Sequence, residues 1–143
     1  MLETQTIVSI TSRTALALAM HALLLAEHRQ FKMCIAVVNV SGQLQAFTKV
    51  DGAPLHSSDI AIDKAYTAVS FGRPTSTWTD RLESANAFLK HGLMNRPQFA
   101  GFAGGVPIVV DGVLVGAIGV SGGSASQDEE IALMALQEFG MSS

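Results

Sequence analysis

Lys64 is the residue best suited to chemistry in this 143-residue chain. It lies in a predicted helix, at the flank of an apolar stripe formed by Ile62, Tyr66 and Val69. A lysine there can bind a carboxylate as a compact cation, or act as a base if burial lowers its pKa. An ion pair with Asp63 or another nearby acid explains it equally well. Lys64 is therefore a candidate for both catalysis and ligand binding.

Other polar and aromatic side chains could complete a site around Lys64. His56 begins the same helix and could act as a general acid or base if it faces the same pocket. Arg73 follows the helix and could clamp a carboxylate through two hydrogen bonds, although a solvated arginine at a helix end is an equally good interpretation. Trp78 and Phe102 could wall a pocket for a flat ligand, or belong to the core.

Two glycine-rich stretches could bring backbone N–H groups close to an anionic ligand. Gly104 and Gly105 precede a predicted strand, and residues 119–123 precede the last helix. Close packing and tight turns explain most of these glycines better. Phosphate is a poor ligand for the second stretch, because residues 128–130 are acidic and occupy the first turn of that helix.

The chain has four histidines and one cysteine, and no two of them have the spacing of metal ligands. No metal site is therefore predicted. A single histidine can still ligate haem iron. His21 is the best candidate, because it lies in an apolar helix on the face of Leu18 and Leu25. A histidine hydrogen-bonded at a subunit contact is the alternative interpretation, and it is the favoured one.

The composition indicates one folded domain and limits the partners. The chain is 48% hydrophobic and 15% charged, with a net charge of −3. Because its cations are scattered, nucleic acid and anionic membrane are not expected as partners. The apolar stretch 15–26 is too short for a membrane span and lacks the pattern of a secretory signal, so we expect a cytoplasmic protein.

The elements that must position these residues follow from periodicity. Residues 9–27 form a helix that is apolar nearly all round, which predicts a homo-oligomer of at least two subunits. Residues 34–40 and 44–50 form a hairpin, residues 55–71 a helix and residues 77–90 a weaker helix. A second hairpin turns at Asp111-Gly112, and Ser126 with Glu129 predicts a capping box for the last helix. Antiparallel hairpins with grouped helices indicate an α+β fold.

Several ordered blocks across nearly the whole chain resemble the GlcG/HbpS-like family, and the chain is similar also to the C-terminal domain of PduO-type proteins. The longest blocks are 63–68 (Asp-Lys-Ala-Tyr-Thr-Ala), 104–108 (Gly-Gly-Val-Pro-Ile) and 116–122 (Gly-Ala-Ile-Gly-Val-Ser-Gly). They are joined by Phe71, Pro74-Thr75, Gly112 and Asp128.

The resemblance implies a single domain over residues 1–143, with a profilin-like antiparallel sheet of about five strands packed with helices and assembled into oligomers. It also implies that haem is a possible cofactor, since some relatives bind haem. Other relatives lie in catabolic gene clusters. The matched blocks contain no His or Cys, so they supply no haem ligand.

Two functions follow from the resemblance and the candidate residues. The first is binding of a small ligand, with haem its most specific version. The second is a cofactor-independent isomerase or lyase that uses Lys64 or His56 on a small carboxylated metabolite.

Overall fold

A computed structural model of the chain describes all of residues 1–143. Five helices and four strands follow one another in the order helix, two strands, three helices, two strands, helix. They are α1 (Ser12–His28), β1 (Cys34–Asn39), β2 (Leu44–Lys49), α2 (Ser57–Phe71), α3 (Trp78–Ser84), α4 (Ala87–Met94), β3 (Gly105–Val110), β4 (Val113–Ser121) and α5 (Ala125–Glu138).

The four strands form one antiparallel sheet in the order β2-β1-β4-β3. The α+β prediction is confirmed, but the expectation of about five strands is wrong. Beyond β3 the sheet is extended only by an isolated bridge between Val109 and Ser142. A single bridged pair near the C-terminus is too short to count as a strand.

The predicted β3–β4 hairpin is confirmed. Its turn has positive φ at both central residues, 51° at Asp111 and 77° at Gly112. This conformation matches the right-handed twist of the flanking strands, which is why Asp-Gly is favoured there.

Helices cover both faces of the sheet. On β1, Ile35 and Val37 belong to the larger core, which also contains the buried residues of α1 and α5. The alternate residues Ala36 and Val38 belong to a smaller core with the buried alanines of α2. Because successive strand residues point to opposite faces, α1 and α5 lie on one side of the sheet and α2 on the other.

Glycines on the sheet let α2 approach very closely. A Cβ at Gly119 would lie 2.0 Å from the carbonyl oxygen of Ala61, and one at Gly105 would lie 2.3 Å from that of Lys64. Any side chain at these positions would push α2 off the sheet. These two glycines therefore serve helix packing.

Two helix predictions need correction. The predicted helix over residues 77–90 is two helices, because Asn86 has an extended backbone and its side chain caps α4 by accepting from the Leu89 N–H. Gly92, expected beyond a helix end, lies inside α4. The capping box of α5 is formed by Ser124 and Gln127 rather than by Ser126 and Glu129.

The short helix α4 stands at the edge of the fold. It has no buried residue, and Phe88 is 93% exposed. None of the helices combines the length and the apolar character needed to cross a membrane.

Candidate functional site

Lys64 was expected at the flank of its helix, but it lies in the interior. Its side chain is 1% exposed, and Nζ donates to Oδ2 of Asp128 and to the Val120 carbonyl oxygen, both at 2.9 Å. Nζ also lies 4.9 Å from the centre of the Phe102 ring. The ion pair joins the middle of α2 to the first turn of α5, two elements on opposite faces of the sheet.

Burial acts on both members of this pair. It lowers the pKa of Lys64 and raises the pKa of Asp128, because each charge is less stable away from water. Their mutual attraction and hydrogen bond oppose both shifts, and the Gly123 N–H donates a further hydrogen bond to Oδ1 of Asp128 at 2.9 Å.

Gly104 lies against this pair, and Gly105 lies against the backbone of Lys64. A Cβ at Gly104 would lie 2.4 Å from the Val120 oxygen and 2.7 Å from Nζ of Lys64. The N–H of Gly105 donates to the Thr75 hydroxyl at 2.9 Å. The structure therefore brings both glycines close to Lys64, whose charge is held in a buried ion pair. The role predicted for them in ligand binding stays a prediction.

His56 and Lys64 do not share a pocket in this structure. His56 is exposed at the N-cap of α2, and its side chain makes no capping hydrogen bond. Eight residues of helix separate it from Lys64, which is about 12 Å along the axis.

His21 lies on α1, on the opposite side of the sheet from α2. Its Nε2 contacts a carboxylate oxygen of Glu138, and its ring lies 5.4 Å from that of Phe139. No group of three His, Cys, Asp or Glu side chains is arranged to hold a metal ion.

A cleft lies between α2, α4 and the segment that leads to β3. We call it the α4 cleft, and its volume is about 700 Å³. Half of its lining is apolar, and Arg96 is its only cation. The lining residues are Tyr66, Thr67, Ser70, Phe71, Phe88, Leu89, Gly92, Leu93, Arg96, Pro97, Gln98 and Phe99.

A second cleft of about 510 Å³, the arginine cleft, lies between α3 and α4. Two guanidinium groups lie near the ring of Trp78 within it, Arg73 at 5.6 Å and Arg81 at 5.4 Å from the ring centre. Its other lining residues are Phe71, Leu82, Ser84, Ala85, Leu89 and Leu93, of which Phe71, Leu89 and Leu93 also line the α4 cleft.

Of the predicted site residues, Arg73 and Trp78 line the arginine cleft, and none lines the α4 cleft. Tyr66, Arg81 and Arg96 were missed as site residues. Arg81 had a usable signal, since it follows Trp78 by three residues within one helix and such pairs lie side by side. Arg96 had none, because it lies on an irregular segment whose position depends on the tertiary fold.

Comparison with known proteins supports the family resemblance. Residues 10–137 match a family model described as "Haem degrading protein HbpS-like". The chain is 32% identical over 137 residues to an uncharacterized 15.0 kDa protein of the dhaT-dhaS intergenic region of Citrobacter freundii, with 96% of each chain covered.

Two solved structures share the fold closely. The protein ORFY of Klebsiella pneumoniae superimposes with a TM-score of 0.89 at 28% identity, over 98% of this chain and 97% of that one. A crystal structure of a PduOC–haem complex superimposes with a TM-score of 0.83 at 28% identity, over 94% of this chain and 98% of that one. These matches bear out the resemblance drawn from the sequence blocks, and the chain belongs to the HbpS-like family.

Proposed function

We propose that this protein binds a small, flat, carboxylated molecule in the α4 cleft, and that haem is the first ligand to test. The observation that carries the proposal is the cleft itself. Its volume of about 700 Å³ and its lining of aromatic and aliphatic side chains with a single arginine suit a largely apolar ligand with an acidic group.

The aromatic side chains give the cleft its preference for a flat ligand. Phe71 and Phe99 line it, with ring centres 6.4 Å apart and ring planes nearly perpendicular. Phe88 projects from α4 with 93% of its surface exposed. A flat molecule that enters the cleft covers this phenylalanine, which gains free energy in proportion to the apolar area removed from water.

The residues of the cleft fit haem in three respects. The aromatic walls suit the macrocycle, and the Arg96 guanidinium suits a propionate. Tyr66 is the only lining side chain of a kind that ligates haem iron. Bound haem would supply the redox chemistry of its iron. The solved relative whose structure is a PduOC–haem complex adds support, since its fold covers 94% of this chain.

His21 gives haem a second possible place, on the α1 side of the sheet. That place is less favourable, because Nε2 of His21 already contacts the carboxylate of Glu138 and would have to leave it to bind iron. It also lies across the sheet from the α4 cleft, so one haem cannot contact both within a subunit.

Enzymatic turnover remains the alternative prediction. A cofactor-independent isomerase or lyase needs Lys64 or His56 beside an open pocket. Lys64 is closed off by its ion pair, and neither residue lines the α4 cleft. The geometry therefore supports binding better than turnover.

A haem titration followed by absorbance tests the proposal. We expect a saturable Soret shift, with the affinity about tenfold weaker in Phe88→Ala, because an aromatic contact is lost. Tyr66→Phe should alter the spectrum if the phenol ligates the iron.

His21→Ala and Arg13→Gln serve as controls on α1 and should bind as the parent does. If no shift occurs at stoichiometric haem, haem is not the ligand. If only His21→Ala abolishes the shift, the ligand does not lie in the α4 cleft.

A further inference from the structure

We propose that the arginine cleft is a separate subsite for the carboxylate of a small organic acid with an apolar tail. Arg73 and Arg81 bind the carboxylate beside Trp78, and the apolar side chains of the cleft cover the tail. This inference rests on the proposed function and deepens it, since it adds a second place for an acidic group beside that at Arg96. The test uses an aliphatic acid, so that its result does not depend on whether a flat ligand binds in the α4 cleft.

The first observation is uncompensated charge. The chain contains three ion pairs, and neither Arg73 nor Arg81 takes part in any of them. Both cations lie within 6 Å of the same indole ring, on the walls of one cleft. Because neither is paired with an acid, the positive charge on these walls is uncompensated, and a bound anion would lower its electrostatic energy. A carboxylate is the anion whose two oxygens match the fork of a guanidinium.

The second observation is unsatisfied hydrogen bonding at the same place. Nε of Arg73 and Nε1 of Trp78 are buried and have no hydrogen-bond partner. Trp78 as a whole is only 5% exposed. Buried donors without partners are rare in folded proteins, because each loses its bonds to water without replacement. These are the only two such side-chain atoms in the chain, and both belong to residues of the arginine cleft.

The third observation concerns the tail of the acid. Leu82, Leu89 and Leu93 line the cleft together with Phe71, so most of its wall is apolar. An inorganic anion would leave this wall uncovered, whereas an aliphatic tail removes it from water and adds to the affinity. The cleft therefore suits an organic acid better than phosphate or sulfate.

The position of the subsite connects it to the α4 cleft. Phe71, Leu89 and Leu93 line both clefts, so the two clefts are adjacent.

The natural reporter of this subsite is Trp78, the only tryptophan in the chain. We would titrate the intact protein with hexanoate at constant ionic strength and follow the indole fluorescence, with calorimetry as a second readout. Parallel titrations with 1-hexanol and inorganic phosphate separate the tail from the charge. We expect saturable binding of hexanoate that is about tenfold tighter than that of either compound, the scale of a charge-assisted hydrogen bond.

Arg81→Gln is the decisive variant, because Arg81 is exposed and its loss leaves the core intact. Its affinity for hexanoate should fall about tenfold, whereas Arg13→Gln, which removes an exposed arginine of α1, should bind as the parent does. Arg73→Lys keeps a charge but loses the planar fork, so its affinity should also fall.

Three results would overturn the inference: equal binding of hexanoate and 1-hexanol, tighter binding of phosphate than of hexanoate, or unchanged affinity in Arg81→Gln. None of these results bears on whether haem binds in the α4 cleft. Conversely, hexanoate binding without a haem shift would reject haem and keep the subsite.

Discussion

The sequence predicts that Lys64 is important, but it does not predict that the partner of Lys64 is Asp128. The sequence indicates that Lys64 is special and that an acid is a natural partner for it. The partner is 64 positions away and lies on an element that packs on the other face of the sheet. No local pattern connects them, because only the close approach of α2 to β4 brings them together.

Removing the charge of Lys64 should reduce stability strongly. Lys64→Met leaves Asp128 buried without its cation, which typically costs about 3–5 kcal/mol in the free energy of unfolding. Urea denaturation measures the loss. The double variant Lys64→Met/Asp128→Asn removes both charges and should recover much of it. A single variant as stable as the parent, with weakened ligand binding, would instead support the predicted ligand-binding role of Lys64.

Asp63 should make stability depend on pH. Partial burial, and then the charge of Asp59, raise the pKa of its carboxyl group above 3.8. The folded chain therefore holds this proton more tightly than the unfolded chain, and the stability that Asp63 contributes below its ordinary pKa is lost as the pH rises through the raised value.

The variant Asp63→Asn removes the repulsion between ionised Asp63 and Asp59, which are four residues apart on one helix. It should raise the free energy of unfolding by about 0.2–0.5 kcal/mol near pH 7. Near pH 3 Asp63, whose pKa is raised above 3.8, is mostly protonated, so the gain should disappear. Denaturation at both pH values measures the difference, and a gain of equal size at both would contradict this origin.

At the scale of elements, sequence reasoning succeeded where local chemistry decides the structure. The turn at Asp111-Gly112 depends on two adjacent residues and was predicted correctly. The end of α3 cannot be predicted from hydrophobic periodicity. The chain leaves the helical conformation there because Asn86 caps α4. The start of α5 shifts by two residues, because Ser124 takes the extended backbone that an N-cap requires.

The β3–β4 turn offers a clean test of backbone strain. A Cβ at Gly112 would meet no atom within 4 Å, so a substitution there costs only through its positive φ. Gly112→Val should lower the free energy of unfolding by at least about 1 kcal/mol. Gly112→Asn is the control, because asparagine tolerates this conformation and should cost less. Equal melting temperatures for Gly112→Val and the parent would contradict the assignment.

At the scale of the whole molecule, a large apolar surface remains exposed on the α1 side. Leu16, Met20 and Leu24 follow one another at intervals of four residues and are each more than half exposed. This spacing makes one continuous stripe along the helix. The prediction that the protein assembles with itself rests on this stripe.

Light scattering at micromolar concentration should therefore show at least a dimer. Met20→Lys places a charge in the middle of the stripe and should shift the protein towards the monomer, because burying an unpaired ammonium group is costly. Lys90→Met, on the exposed side of α4, is a control that should leave the mass unchanged. A parent protein that is monomeric at this concentration would show that the stripe needs no partner subunit.

A crystal structure of the protein grown with haem shows where the ligand lies and so decides between the α4 cleft and His21. We predict that the macrocycle lies in the α4 cleft against Phe71, Phe88 and Phe99, with a propionate near Arg96 or in the arginine cleft. Haem bound instead at His21, with the α4 cleft unchanged, would contradict the account.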